Sequence, residues 1–178
     1  IIDAFPSSQT LGLKRGGKTK PPLICQISSM GSLSEKWLRQ FCSALDYTST
    51  HYSNPIDNDS NAAVASDKKP LESIAKIIWP TVDEIRRSVE GYLGGGSVPG
   101  RKTNLEKTFL KPLYHRWSKR SGADPLLTAR HVPHIKTVVQ PSSSSSSTDN
   151  KNRSIEWMLL TSHNLSTAAW GQVRNNQR

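Results

Sequence analysis

Cysteine is scarce in these 178 residues: Cys25 and Cys42 are the only two. One lies in an apolar run and the other on a helical face. Both are therefore expected to be buried, reduced thiols rather than a disulfide scaffold, which fits an intracellular protein. Long apolar runs are missing as well. Nothing approaches the ~20 residues of a membrane span. Hydrophobic residues make up 34% of the chain and the mean hydropathy is −0.55, so a soluble, loop-rich chain with no membrane contact is expected. A secretory signal is not expected either, because Ile1 to Pro6 is short and lacks a basic start. The chain begins without Met and stops at Asn-Asn-Gln-Arg with no closing element, which reads as a fragment. Acidic residues are few, 14 against 24 Lys and Arg, giving a formal net charge of +10. That excess favours a polyanionic partner such as nucleic acid. The length suffices for one domain with a sizeable core, taken as residues 1–178.

Along the chain, apolar runs alternate with helical stripes. A basic cluster (Lys14, Arg15, Lys18, Lys20) precedes Pro21-Pro22 and a strand over Leu23–Ser28. Ser32 and Glu35 have capping-box spacing. Leu33, Trp37, Leu38, Phe41 and Leu45 then form one helical stripe. Residues 46–70 are rich in Ser, Asn and Asp and read as a mobile loop. Ser73–Trp79 reads as a buried strand. Thr81 and Glu84 form a second capping box, with a helix continuing to Val89 and Arg86 and Arg87 on its solvated flank. Residues Gly91–Gly100 carry five glycines, which suits either a flexible linker or a backbone that approaches a ligand. Thr103 and Glu106 give a third capping box, before Leu105, Phe109, Leu113 and Trp117 at near-helical spacing, a pattern that Pro112 should interrupt. His115 and Trp117 read as packing residues. Residues 142–152 hold a serine run and a polar spacer, read as a disordered hairpin insertion. The expected fold is α/β: strands from Leu23, Ser73, Pro133 and Ile155 in one mixed sheet, flanked by helices around Trp37, Ile85 and Phe109.

The chemistry concentrates between His134 and Gly171. Pro133–Pro141 reads as a strand, so His134, Lys136 and Val138 share one face, with His134 and Lys136 roughly 7 Å apart at Cα. Ile155–Leu160 is an apolar run broken only by Glu156, read as a strand buried on both faces. It ends in Thr161-Ser162-His163-Asn164, small polar residues at the mouth of a sheet, where α/β proteins bind ligands. An imidazole, an ammonium and a carboxamide together suit a phosphoryl group. Lys136 neutralises one oxygen, Asn164 donates to another and His134 moves a proton. Ser166 is placed to cap a short helix that runs to Trp170 and ends at Gly171. Its first turn would aim backbone N–H groups at an anion. Singly, each residue has a plainer role: His134 a structural histidine, Lys136 a solvated strand cation, Asn164 a turn residue. His163 reads as a turn or supporting residue. Three imidazoles (His131, His134, His163) would suit zinc, but no carboxylate or cysteine lies close in sequence to complete the set, and no metal is expected.

H-x-K followed by Asn, with the tail SHNLSTAAWG, closely resembles the second half-site of the tyrosyl-DNA phosphodiesterases, in the phospholipase D superfamily. The resemblance extends to GSLSEKWL (Gly31 to Leu38), to IIWPTVDEIRRSVEGY with GGGSVP (Ile77 to Pro99) and to YHRW (Tyr114 to Trp117), in the family's order from about Leu23 onward. Other phospholipase D relatives usually carry an Asp four residues after the Lys. Gln140 stands there, which favours the tyrosyl-DNA branch over lipases. The resemblance implies a phospholipase D-like half. It also implies a metal-free and cofactor-free DNA-repair hydrolase of the nucleus that releases a topoisomerase-derived tyrosine or peptide from a DNA 3′ end. One histidine forms a phosphohistidine. The other, matched by His134, protonates the leaving tyrosine and then activates water. Lys136 and Asn164 match the phosphate-oxygen ligands, and Ser32, Ser97 and Ser166 match contacts to the DNA strand.

No second H-x-K occurs. The other histidines read His51-Tyr-Ser, His115-Arg-Trp, His131-Val-Pro and His163-Asn-Leu. The nucleophilic half-site is therefore expected upstream, outside this chain, which alone is expected to be inactive. Two other possibilities remain at this point: a non-catalytic phosphate- or single-strand-binding module, and a nuclease that pairs two copies of His134 in a homodimer.

Overall fold

A computed structural model describes residues 20–45, 69–117, 131–142 and 154–172. Most of the two loops read at 46–70 and 142–152, and Lys14, Arg15 and Lys18 of the basic cluster, lie outside the described residues. Five strands form one sheet: β1 (Leu23–Gln26), β2 (Ala75–Ile78), β3 (Tyr114–His115), β4 (Lys136–Pro141) and β5 (Ile155–Thr161). Their spatial order is β3-β2-β1-β4-β5. β1, β2 and β3 are parallel, while β4 is antiparallel to both β1 and β5. The carboxyl ends of β1, β2, β3 and β5 and the amino end of β4 therefore share one rim. This is the mixed α/β sheet expected from the sequence, with β3 added. Two residues are too short to show a period, so β3 leaves no mark on the pattern.

One face of the sheet is the core. Cys25 pairs in register with Ile77 on one side and Val138 on the other, and all three are buried. They join Trp37, Leu38, Phe41 and Cys42 of helix α1 (Glu35–Leu45) in one apolar cluster. Leu38 is fully buried, and truncating a side chain so placed costs ~2–5 kcal/mol. No disulfide joins Cys25 and Cys42, and burial pushes the Cys25 thiol up to about 12.

The opposite face is open at its β4–β5 end. Met158 is 59% and Leu160 62% exposed. This corrects the expectation that β5 is buried on both faces. β5 is an edge strand whose Trp157 and Leu159 turn toward the core while Met158 and Leu160 turn outward. Apolar residues on both faces hid the alternation.

The helices are shorter than their sequence stripes. α1 is capped by Ser34, whose Oγ accepts from Trp37 N at 3.2 Å. It is not capped by Ser32, and Glu35 pairs with Arg39 at 2.7 Å instead of closing a box. Two serines compete for the cap, and the one nearer the first turn prevails. Helix α2 (Val82–Arg86) does carry the Thr81–Glu84 capping box, with both reciprocal bonds made. It ends before Val89. Arg86 and Arg87 lie exposed on its flank, both paired with Asp83. The glycine-rich stretch winds into a 3-10 segment (Gly91–Ser97) instead of an open linker. Helix α3 (Lys102–Leu105) has no side-chain cap, so the Thr103–Glu106 box is not formed. The stripe beyond it breaks into a turn and a 3-10 piece (Lys111–Leu113) containing Pro112, as a proline inside a helical pattern dictates. No long helix forms around Phe109. His115 is buried and Trp117 half-buried. Among the described residues no helix is long and apolar enough to cross a membrane.

Candidate functional site

His134, Lys136 and Asn164 stand at the shared rim because of how the strands end. β4 begins at Lys136, paired with Thr161 of β5. Its neighbour β1 stops at Gln26, opposite Thr137. Pro133 to Ile135 therefore run beyond the ends of their neighbours, and the strand starts at Lys136 rather than Pro133. His134 sits exposed in this overhang. Lys136 lies on the core face with Val138 and Gln140, and is only 6% exposed.

The two side chains meet directly. Lys136 Nζ donates to the His134 carbonyl at 2.6 Å and lies 3.2 Å from both ring nitrogens. A neutral imidazole offers one lone pair to such an ammonium. Burying an ammonium is costly unless an opposite charge or several acceptors compensate. Among the described residues no carboxylate stands within ion-pair distance of Lys136.

Asn164 follows β5 and reaches back to the end of β1. Its Oδ1 accepts from Ser28 N at 3.1 Å, Ser29 N at 2.9 Å and Ser28 Oγ at 3.3 Å. These donors fix which end of the carboxamide is oxygen, and turn the Nδ2 donors the other way. Asn164 is thus a structural staple whose free end remains a donor. Its own carbonyl accepts from Trp170 Nε1 at 3.0 Å. Ser166 caps helix α4 (Thr167–Trp170), accepting from Ala169 N at 3.2 Å, and Gly171 ends it at φ 80°. The helix is a single turn, so its dipole adds little beyond individual N–H groups. Trp37 Nε1 donates to Gly171 O at 2.8 Å and fastens α4 to α1.

Gly31, the residue before Ser32, stands against Ser166. Gly31 N donates to Leu165 O at 3.0 Å, and Met30 bridges Leu165. A Cβ on Gly31 would lie 2.8 Å from Ser166 Cβ, so only glycine permits this approach. Ser32 Oγ accepts from Lys107 Nζ at 3.0 Å, and the same ammonium reaches Leu33 O at 2.5 Å. Lys107 thus brings a second cation to the serine side of the rim. Sequence spacing gave no sign of it, since its partners lie 75 and 74 residues away. Ser97 is exposed at the end of the 3-10 segment. Among the described residues it is not hydrogen-bonded to any other candidate.

The three histidines weighed as zinc ligands are differently engaged. His131 Nδ1 is 2.5 Å from Glu90 Oε1. His163 Nδ1 is 2.9 Å from Thr161 Oγ1, and its ring lies 5.6 Å from that of Trp170, a turn-stabilising role. Among the described residues no group of three His, Cys, Asp or Glu is placed to hold a metal ion. Chemically, the rim offers one exposed imidazole for proton transfer, one buried ammonium and one oriented amide donor, a set suited to the oxygens of a phosphate ester.

A family model described as tyrosyl-DNA phosphodiesterase matches residues 7–178. The chain is 40% identical over 158 residues to tyrosyl-DNA phosphodiesterase 1 of Arabidopsis thaliana, covering 88% of this chain and 22% of that protein. It is 31% identical over 159 residues to tyrosyl-DNA phosphodiesterase 1 of Drosophila melanogaster, covering 87% and 23%. To a probable tyrosyl-DNA phosphodiesterase of Caenorhabditis elegans it is 35% identical over 159 residues, covering 86% and 29%. The chain therefore spans under a third of the length of these curated relatives.

Proposed function

Because the chain belongs to the tyrosyl-DNA phosphodiesterase family, we propose that it supplies the proton-transfer half of a DNA-repair phosphodiesterase site. The bond hydrolysed joins a topoisomerase-derived tyrosine to a DNA 3′ phosphate. The observation that carries this reading is the Lys136 ammonium, 6% exposed and in contact with the exposed His134 imidazole. Among the described residues no carboxylate neutralises it, so a substrate phosphate is the charge that completes the pocket.

In the first step an upstream histidine nitrogen bonds to phosphorus and the bond from phosphorus to the tyrosine oxygen breaks. Protonated His134 gives its proton to the departing phenolate oxygen. In the second step neutral His134 takes a proton from water, whose oxygen displaces the histidine nitrogen from phosphorus. An imidazole is the side chain suited to giving a proton in one step and taking one in the next near neutrality. Lys136 Nζ and Asn164 Nδ2 hold the phosphoryl oxygens as charge develops on them. Ser32, Ser97 and Ser166 contact the DNA strand, with the basic surface attracting it. The nucleophilic half-site belongs to a preceding segment of a longer polypeptide acting on nuclear DNA, and this chain alone is inactive.

The test is hydrolysis of an oligonucleotide bearing a 3′ phosphotyrosine. The 178-residue chain should bind it in a salt-sensitive way without turnover. In the longer polypeptide, His134→Ala should slow tyrosine release, and the DNA–enzyme adduct should accumulate. Turnover by the chain alone that disappears in its His134→Ala variant would overturn the two-half reading. Unchanged hydrolysis in the longer His134→Ala polypeptide would remove His134 from the chemistry.

A further inference from the structure

His134 lies where no strand holds it, so something else must fix the approach to it. Pro133 has no N–H to donate to a ladder. The pairing of β4 begins only at Lys136. Two residues before His134, the chain is gripped from another element. Glu90 Oε1 lies 2.5 Å from His131 Nδ1, and Glu90 Oε2 accepts from Val132 N at 3.3 Å. Gly94 closes the other side: a Cβ there would lie 2.5 Å from Val132 Cγ2. Glu90 itself is held by a rigid series of parts. The Thr81–Glu84 box follows directly on the buried end of β2, α2 grows from that box, and the 3-10 segment packs on α2.

We propose that Glu90 is a positioning residue for His134, acting through Val132 and Pro133 to set where the imidazole stands over the rim. This rests on the reading of His134 as the proton-transfer group. The proline transmits the constraint because its ring fixes φ and leaves few ways to pass from Val132 to His134. The hydrogen bond from His131, foremost among several, holds the Glu90 carboxyl down to about 2, so the clasp keeps a charged acceptor throughout the range in which proteins work. Both partners are substantially exposed, at 53% for His131 and 37% for Glu90. Such pairs contribute little to global stability. The role is therefore separable from folding.

The test uses Glu90→Ala and Glu90→Gln, the second retaining an oxygen that accepts the Val132 N–H. In the full chain, Glu90→Ala should speed amide exchange at Val132 by about tenfold or more and shift the His134 ring resonances. Its melting temperature should stay within ~2 °C of the parent. In the longer polypeptide it should lower kcat for tyrosine release by roughly ten- to a hundredfold with KM unchanged. Glu90→Gln should recover most of both effects. The proposal is overturned if Glu90→Ala leaves Val132 exchange and the His134 resonances as they were. It is equally overturned if both variants melt several degrees lower and lose activity in parallel, which is a generic structural role. Should Glu90→Ala shift the His134 resonances while His134→Ala leaves hydrolysis intact, the clasp stands and the catalytic reading of His134 falls.

Discussion

Replacing Lys136 with Met should separate what the ammonium does for the fold from what it does for an anion. Methionine keeps the length and the apolar stem, and removes the charge. Burying an ammonium costs several kcal/mol. At 6% exposure, Lys136 bears most of that cost. The 2.6 Å bond to His134 O and the contact with the ring return about 1.5–3 kcal/mol for each well-formed charged hydrogen bond. The two sides nearly cancel, so Lys136→Met should leave stability unchanged or raise it by about 1 kcal/mol, equivalent to ~2–4 °C for a chain of this size. Phosphate should reveal the opposite effect. At a phosphate concentration about 100 times its Kd, the parent chain gains about 2.7 kcal/mol. The variant should gain little, and in the longer polypeptide its turnover should fall by about 10²–10³. Thermal unfolding followed by circular dichroism, across a phosphate titration, measures both halves. A variant that melts more than ~5 °C lower, or one that gains as much from phosphate as the parent, would refute the reasoning.

Asn164→Asp keeps oxygens for Ser28 N and Ser29 N but replaces the amide donors with a second acceptor carrying negative charge. Its melting temperature should hold while its affinity for a short single-stranded oligonucleotide falls, measured by fluorescence anisotropy. Gly31→Ala places a Cβ 2.8 Å from Ser166 Cβ and should cost ~1–3 kcal/mol by forcing the Met30–Leu165 bridge apart, read from urea denaturation. The Cys25 thiol is raised from an ordinary 9.0 to about 12 by burial. Its contribution to stability is therefore complete below pH 9 and is lost as pH rises from 9 toward 12, because the unfolded thiol ionises first. Native chain at pH 8 should leave Cys25 unlabelled by iodoacetamide, with labelling appearing in denaturant.

The parts legible from sequence are those whose cause is local. The Thr81–Glu84 box needs only two side chains three residues apart and the helix start they share, and it forms. Ser166 and Gly171 bound a helix for the same reason. Ser32–Glu35 had the same spacing and failed, because Ser34 offered a hydroxyl to the same turn. β5 was recognised as a strand but assigned to the interior, since Met158 and Leu160 are as apolar as the Trp157 and Leu159 that face inward. At the rim, the pairing of His134 with Lys136 was foreseeable across two residues. The grip of Lys107 on Ser32 and of Glu90 on Val132 was not, because the partners stand 75 and 42 residues apart and no periodicity encodes such a distance.

The reach of Asn164 to Ser28 has a consequence for how the molecule comes together. Those partners are 136 residues apart in the chain, and β1 and β5 are not neighbours but lie on either side of β4. Closing a loop of that length is entropically late, and it waits on both edges of β4 being zipped. The rim that Asn164 staples is thus expected to be among the last features to form in folding. A phosphate bound there, as proposed, would act as a latch on the finished chain, slowing unfolding without speeding the search that precedes it.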